Sequence, residues 1–192
     1  MTQTGATAGP IVVWVAEGTW QASVDAAVRL APAAAGITLL HVTPADLAEA
    51  AHGAYLGLFG RGQPTDDPGP RVAEIEAASA AELLDAAAAR LGRSCRREQR
   101  EGRPEREVVA AADGAGLLIV ARDGDRSRLG PKSLGKEVRF VVDHAPCPVL
   151  LVWPEPPPGT STIPPPPPHK RHGPPEPPKP HRRHGPHGPH DR

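Results

Sequence analysis

The stretch HAPCPVLLV, residues 144–152, decides the fold of this chain. The two prolines that flank Cys147 cannot continue a helix, because proline has no backbone N–H and a fixed φ. The four residues that follow, 149–152, are all apolar. A short apolar run of this kind is typical of a strand covered on both faces, as in a parallel sheet. The stretch therefore predicts a helix that ends near His144 and a buried strand at 149–152.

Upstream of this stretch, strand and helix patterns alternate. Apolar runs predict three more buried strands, at residues 11–16, 37–43 and 117–121. A polar run after the longest predicted helix predicts an edge strand at residues 94–98. Apolar residues at helical spacing predict four helices: residues 24–31, 71–91, 104–112 and 134–144. We also predict a short helix at residues 45–51 and a long surface connection at 54–70. The alternation predicts right-handed crossovers and a parallel sheet covered on both sides.

Composition divides the chain. Of its 26 prolines, 16 lie in residues 154–192, together with six of its nine histidines. This tail has too little apolar surface to build a core, so we expect disorder. We predict a flexible N-terminus at residues 1–9, one domain at 10–153 and the tail at 154–192. The formal charge is −3 for residues 1–153 and +3 for the tail, which argues against a basic nucleic-acid-binding face on the domain.

Targeting and redox signals are absent from the sequence. Residues 1–10 lack the charged start and apolar middle of a secretory signal, and no apolar run reaches the roughly 18 residues that cross a bilayer. We therefore expect a cytoplasmic protein without a membrane partner. Cys95 and Cys147 have neither the number nor the spacing of a disulfide framework or a zinc site, so both are expected to be reduced.

Several segments, taken in order, resemble the universal stress protein family. They are the Gly18-Thr19 turn after the first strand and residues 39–44, 101–104, 117–120, 134–135 and 144–152. The resemblance implies an α/β fold of the adenine nucleotide alpha hydrolase type, with an open five-stranded parallel sheet in the order 3-2-1-4-5. It also implies a ligand crevice beyond the carboxyl ends of strands 1 and 4 and a homodimer through the last strand. The alanine and arginine content suggests a bacterial source.

The family's ATP-binding members hold the phosphates against a loop of pattern Gly-x2-Gly-x9-Gly-Ser/Thr after strand 4. This sequence keeps part of that pattern. The three glycine positions correspond to Ala121, Gly124 and Gly135, and Lys136 stands at the Ser/Thr position. Ten residues instead of nine separate Gly124 from Gly135. The cofactor that the resemblance implies is ATP or another adenine nucleotide, and these departures predict weak or altered binding.

The adenine end of the implied site lies at strands 1 and 2. The family's acidic residue there corresponds either to Ala16 or to Glu17, next to Gly18 and Thr19, and Val42 matches the position whose backbone lies near adenine. Five cations in the loop after strand 4 could bind phosphates by charge or could belong to a solvated surface loop: Arg122, Arg126, Arg128, Lys132 and Lys136.

No catalytic group stands out, because the domain's three histidines have no serine or cysteine at a spacing that suggests a triad. We therefore expect a stress-associated ligand-sensing or regulatory protein without strong catalytic activity. Two alternatives stay open: an ATP-binding protein with slow hydrolysis, and a scaffold whose tail binds a protein partner or metal ions. No metal site is expected in the domain, and a weak one in the tail would use its six histidines: His169, His172, His181, His184, His187 and His190.

Overall fold

The structure, a computed structural model, describes residues 9–45, 69–163 and 165 of the 192-residue chain. Five strands lie in these ranges: β1 (Ile11–Trp14), β2 (Ile37–Pro44), β3 (Arg96–Gly102), β4 (Leu117–Ala121) and β5 (Val149–Val152). They form one sheet in the order β3-β2-β1-β4-β5, and every neighbouring pair is parallel. The predicted fold class and strand order are confirmed.

The helices of the described ranges cover both faces of this sheet. They are α1 (Trp20–Leu30), α2 (Gly69–Leu91), α3 (Pro104–Ala111) and α4 (Lys136–His144), with single 3₁₀ turns at Pro131–Ser133 and Thr160–Thr162. Pro104 is the first residue of α3, where a missing N–H costs nothing. Glu105 and Glu107 lie in the first turn of α3 and complement the helix dipole.

Strand β1 lies at the centre of the sheet, and all four of its residues are buried. Its alternate side chains enter two separate core clusters, as the period of two requires. Val13 packs in one cluster with Val24 of α1 and Leu84 of α2. Val12 packs in the other with Val108 of α3 and with α4 residues. Helices α1 and α2 therefore cover one face, and α3 and α4 cover the other.

Strand β3 differs from its prediction. We expected residues 94–98, but the strand runs from Arg96 to Gly102, so Cys95 lies just before it. The strand pairs with β2 along its whole length, from Thr38 opposite Arg96 to Pro44 opposite Gly102. Backbone hydrogen bonds to β2 set these limits, and the side-chain pattern of a charged edge strand carries little information about them.

Helix α4 also begins later than predicted, at Lys136 instead of residue 134. The residues before it are used otherwise: Pro131–Ser133 form the 3₁₀ turn, and Leu134 is extended. Gly135 is the N-cap residue, with φ −66° and ψ 178°. Leu134 still packs against the core cluster that contains Val12. It therefore fitted the apolar spacing of the predicted helix, although it lies outside the helix.

Both cysteines are unbonded, and each lies half-buried. Cys95 precedes β3 and Cys147 precedes β5, at opposite edges of the sheet. Burial is the main cause that raises the pKa of the Cys147 thiol. Their positions at opposite edges keep the two cysteines apart in the sheet.

Several predictions concern residues outside the described ranges. They are most of the flexible N-terminus at 1–9 and of the short helix at 45–51, the connection at 54–68, and the tail beyond residue 165 with all six of its histidines. None of the helices that the structure describes has the length and hydropathy of a membrane-spanning segment.

Candidate functional site

A crevice opens beyond the carboxyl ends of β1, β2 and β4. Strands β1 and β4 are neighbours in the sheet, and the chain leaves them toward opposite edges, so this is the topological switch point. A cavity of about 370 Å³ lies here. Its walls come from the ends of the three strands and from α2, α3 and α4: Trp14, Ala16, Glu17, Thr19, His41, Val42, Thr43, Pro44, Glu76, Ser79, Ala80, Pro104, Ala121, Asp123, Glu137 and Val138. We call it the first cavity.

The charged side chains that the structure describes in the wall of the first cavity are acidic. Glu17, Glu76, Asp123 and Glu137 line it, and the described wall includes neither lysine nor arginine. The described part of this wall is therefore rich in carboxylates that can accept hydrogen bonds.

His41 is a buried polar side chain of this wall, with only 8% of its surface exposed. Its Nδ1 lies 2.8 Å from the carbonyl oxygen of Val15. A carbonyl oxygen can only accept a hydrogen bond, so Nδ1 carries the proton and Nε2 of the neutral ring is an acceptor. Within the described ranges, the ring makes this one hydrogen bond, and His41 lines the first cavity.

The loop between β4 and α4 closes on itself. The Gly124 N–H donates to the Ser133 carbonyl at 3.1 Å, and the Asp125 N–H donates to the Lys132 carbonyl at 2.8 Å. A Cβ at Gly124 would lie 2.4 Å from the Lys132 carbonyl oxygen. Glycine is therefore needed at 124 so that the two sides of the loop can approach, whatever the loop binds.

The N-terminus of α4 already holds an anion from its own chain. The backbone N–H of Gly135 donates to Oδ1 of Asp123 at 2.6 Å. The unpaired N–H groups of a helix N-terminus carry partial positive charge and are satisfied by an anionic oxygen. Asp123, two residues after β4, supplies such an oxygen to the N–H of the N-cap residue alone, and no described side chain caps the N–H groups that follow.

The loop arginines have partners within the described chain. Arg126 pairs with Glu155 at 3.0 Å, and Arg128 pairs with Asp125 at 2.9 Å. The hydrogen bonds from Ser127 to Asp125, and to a smaller extent that ion pair, lower the pKa of the Asp125 carboxyl.

Arg122 of the same loop lies with its guanidinium 4.7 Å from the ring centroid of Trp153 and donates to Ser133 Oγ. Three of the five predicted loop cations thus have partners within the described chain, and none of the three lines the first cavity.

A second cavity of about 440 Å³ lies beside the first and shares Pro44, Pro104 and Glu137 with it. Three cations and one further carboxylate line it: Arg103, Arg106, Lys136 and Glu105. Arg103 pairs with Glu105 at 3.0 Å, and the Arg106 guanidinium lies 5.8 Å from the Phe140 ring centroid. The crevice therefore has an acidic compartment and, next to it, a basic one.

The sequence profile of the universal stress protein family matches residues 10–152. The chain belongs to this family. The predicted resemblance is confirmed, and it covers the whole sheet and all the described helices. No curated protein matches the chain significantly by sequence.

Solved structures of the same fold resemble this universal stress protein. Hypothetical protein MJ0577 is 16% identical with a TM-score of 0.56, and covers 76% of this chain and 95% of its own. Universal stress protein UspA from Lactobacillus plantarum is 23% identical with a TM-score of 0.51, over 75% and 97%. A universal stress protein in complex with cAMP is 20% identical with a TM-score of 0.50, over 77% and 98%.

The structure brings together five of the nine predicted site residues of this universal stress protein. Ala16, Glu17, Thr19, Val42 and Ala121 all line the first cavity. Both candidates for the acidic position after strand 1 lie in the same wall, so that alternative stays open.

The other four predicted residues lie outside the first cavity. Gly18 forms the turn before α1, with φ +72°, a conformation that favours glycine. Gly124 closes the loop, Gly135 is the N-cap of α4, and Lys136 faces the second cavity.

Sequence reasoning missed several residues of the wall, above all Asp123. A polar residue two positions after a buried parallel strand lies at the sheet edge where ligands bind, and that signal was present in the sequence. Glu76 and Ser79 had no such signal, because their helical pattern does not reveal which part of α2 passes over the crevice. The described residues hold no group of three or more His, Cys, Asp or Glu that could bind a metal ion.

Proposed function

We propose that this universal stress protein is a ligand-sensing protein of a stress response, without strong catalytic activity, whose ligand is an adenine nucleoside or nucleotide. The observation that carries the proposal is the first cavity at the topological switch point, where open α/β sheets bind ligands. The solved universal stress protein in complex with cAMP has the same fold and supports this choice of ligand.

The shape and chemistry of the first cavity suit a purine. Its volume of about 370 Å³ lies within the range of small-molecule sites. Trp14, Val42 and Val138 give it apolar wall surface for a planar base. His41 Nε2 and the Glu17 carboxylate are acceptors for N–H groups such as the exocyclic amine of adenine.

The absence of strong catalysis in this proposal is supported by His41. Its Nδ1 donates to the Val15 carbonyl and not to a carboxylate, so the ring lacks the orienting partner that a general base in a triad uses. Within the described chain, no serine or cysteine hydrogen-bonds the ring.

A second candidate function, ATP binding with slow hydrolysis, is favoured by the second cavity. Its Arg103, Arg106 and Lys136 are cations that bind phosphate oxygens, and it adjoins the first cavity at Pro44 and Pro104. A nucleotide with its base in the first cavity would place its phosphates here. This candidate predicts that Lys136→Ala weakens ATP binding without affecting adenosine.

The test is calorimetry on the full chain with adenosine, AMP, cAMP and ATP, compared with a variant whose cavity is filled. Ser79 lines the first cavity from α2, so Ser79→Trp should abolish binding. Ala81 is exposed on the same helix and does not line the cavity, which makes Ala81→Trp the matched control. Absence of heat from all four ligands, or equal binding by both tryptophan variants, would overturn the proposal.

We propose a cytoplasmic protein divided as predicted, with a domain at residues 10–153 and a tail at 154–192, which pairs with a second copy through β5. All four β5 residues are apolar and partly exposed, as a pairing edge requires.

The tail would serve as a binding extension for a protein partner or metal ions. A nickel titration followed by the histidine NMR signals of the tail tests the metal role, which unchanged signals would exclude.

A further inference from the structure

We propose that residues 153–163, which follow β5, form a strap that latches the loop between β4 and α4, residues 122–135, and thereby controls the opening of one wall of the crevice. The family profile ends at residue 152, so the strap lies outside the residues that it matches. The latch goes beyond the proposed function, because its contacts join two parts of the chain and involve no ligand.

The first two contacts between the strap and the loop involve loop arginines. Trp153 begins the strap, and its ring centroid lies 4.7 Å from the guanidinium carbon of Arg122, the first loop residue. Two residues later, the Glu155 carboxylate accepts a hydrogen bond from Arg126 Nη1 at 3.0 Å. Arg126 belongs to the tip of the loop, residues 126–131, which lies beyond the backbone hydrogen bonds that close the loop. The strap therefore holds the loop at its base and at its tip.

The third contact uses a hydroxyl group that is itself fixed within the strap. Thr162 Oγ1 accepts a hydrogen bond from the backbone N–H of Leu129, in the tip, at 3.0 Å. The same hydroxyl donates to the Gly159 carbonyl oxygen at 2.7 Å. A hydroxyl has one proton to donate and lone pairs to accept with, so both bonds form at once. The strap thus ends on the tip of the loop with an ordered acceptor.

Proline makes the strap stiff. Four of the five residues between Trp153 and Gly159 are prolines: Pro154, Pro156, Pro157 and Pro158. Because the proline ring fixes φ, the strap loses little conformational entropy when it lies on the loop. Each of the three contacts shifts an opening equilibrium by only about two- to fivefold. The strap can therefore detach while the domain stays folded.

The loop carries these contacts to the wall of the crevice. Asp123 lines the first cavity, and its Oδ1 accepts the Gly135 N–H at 2.6 Å. The base of the loop is closed by the Gly124 N–H, which donates to the Ser133 carbonyl at 3.1 Å. Arg122 donates to the hydroxyl of the same serine. Release of the strap should therefore loosen these bonds and with them the place of Asp123 in the wall.

The test is amide hydrogen exchange, followed by NMR on the full chain, which measures the local opening of individual backbone hydrogen bonds. Thr162→Val removes the hydroxyl, keeps the size of the side chain and leaves the loop sequence unchanged. Three N–H groups are followed: Leu129 in the tip, Gly124 at the base and Gly135 at the crevice wall. Ser161 is exposed in the same turn, and within the described chain no side-chain hydrogen bond joins it to the loop, so Ser161→Ala is the matched control.

We expect Thr162→Val to speed exchange of the Leu129 N–H by about fivefold, the effect of one lost hydrogen bond. The N–H groups of Gly124 and Gly135 donate within the loop and not to the strap. They should nevertheless exchange about two- to fivefold faster in this variant, because the loop opens as a unit. Ser161→Ala should leave all three rates at the wild-type values.

Glu155→Gln is a second, independent variant. It removes the charge that pairs with Arg126 and keeps the hydroxyl contact intact. The pair is partly exposed, so the same three N–H groups should exchange only about twofold faster. Agreement between two variants that lie seven residues apart would assign the effect to the strap as a whole.

Unchanged exchange at Gly124 and Gly135 in both variants would overturn the proposal, because the strap would then hold the tip alone. The Leu118 N–H, which donates to the Pro148 carbonyl at 2.9 Å in the buried part of the sheet, reports on the whole domain. Equal acceleration of its exchange would also overturn the proposal, because the variants would then weaken the entire fold and not a latch.

Discussion

Arg90 holds Asp25 through two parallel hydrogen bonds that join α2 to α1. The Arg90 Nε donates to Oδ1 at 2.6 Å, and Nη2 donates to Oδ2 at 2.8 Å. The hydrogen bond from Arg90 is the main cause that lowers the pKa of the Asp25 carboxyl below its ordinary value of 3.8. The two side chains are 45% and 44% exposed, so water screens much of this interaction.

Asp25→Asn should therefore lower the free energy of unfolding at neutral pH by about 0.2–1 kcal/mol, the range for exposed ion pairs. A carboxyl whose pKa is lower in the folded state stabilises it above pH 3.8, and that contribution is lost as the pH falls through the lowered value. The difference between wild type and variant, measured by urea unfolding, should shrink over that window. A difference that stays constant under acid would contradict this account, and Arg90→Gln should give the same result as Asp25→Asn.

Gly124→Ala should destabilise the domain by about 1–3 kcal/mol, because the new Cβ would overlap the Lys132 carbonyl oxygen and force the loop apart. Gly36 is the matched control, since a Cβ there meets no atom within 4 Å. Urea unfolding should find Gly36→Ala close to the wild type. Equal stability of the two variants would mean that the loop opens without cost.

The first residues after β5 contact the loop that follows β4. Glu155 accepts from Arg126 at 3.0 Å, and the Leu129 N–H donates to Thr162 Oγ1 at 3.0 Å. Removal of residues 154–192 should therefore cost about 1 kcal/mol of stability. Because the sequence predicts that the tail is disordered, we expect removal of 164–192 to cost almost nothing. Thermal melting of the two truncations checks this, and identical melting temperatures would show that these contacts contribute nothing.

Pairing of two copies through β5 can be tested at one backbone group. The carbonyl oxygen of Val152 accepts a hydrogen bond from the N–H of Arg122, the residue after β4, and therefore faces β4. Backbone groups alternate in direction along a strand, so those of Leu151 face the open edge of the sheet. Leu151→Pro removes the outward N–H, whereas Leu151→Ala shortens the side chain and keeps the N–H. Sedimentation should give twice the chain mass for the wild type and the Ala variant and a monomer for the Pro variant. A monomeric wild type would exclude the dimer.

The parts of the fold that depend on apolar burial could be predicted from the sequence. Strands β4 and β5 have the predicted bounds, because a strand that helices cover on both faces must be apolar over its whole length, even where, as in β5, its residues are only partly buried. Strand β3 could not be bounded this way, since its limits depend on hydrogen bonds to β2. The site was predictable only in part for a similar reason: Ala121 lies at a strand end, but the folded position of Asp123 against Gly135 depends on the path of the loop.

The charged edge of β3 has a consequence for assembly. Arginine and glutamate side chains occupy most of this strand, and Arg100 pairs with Glu98 at 2.7 Å. If two chains join through β5, both outer borders of the combined sheet are β3 strands. A charged border resists the addition of further strands. Strand β3 would then limit the number of subunits to two. The same polarity that made β3 the hardest strand to recognise in the sequence would keep the assembly finite.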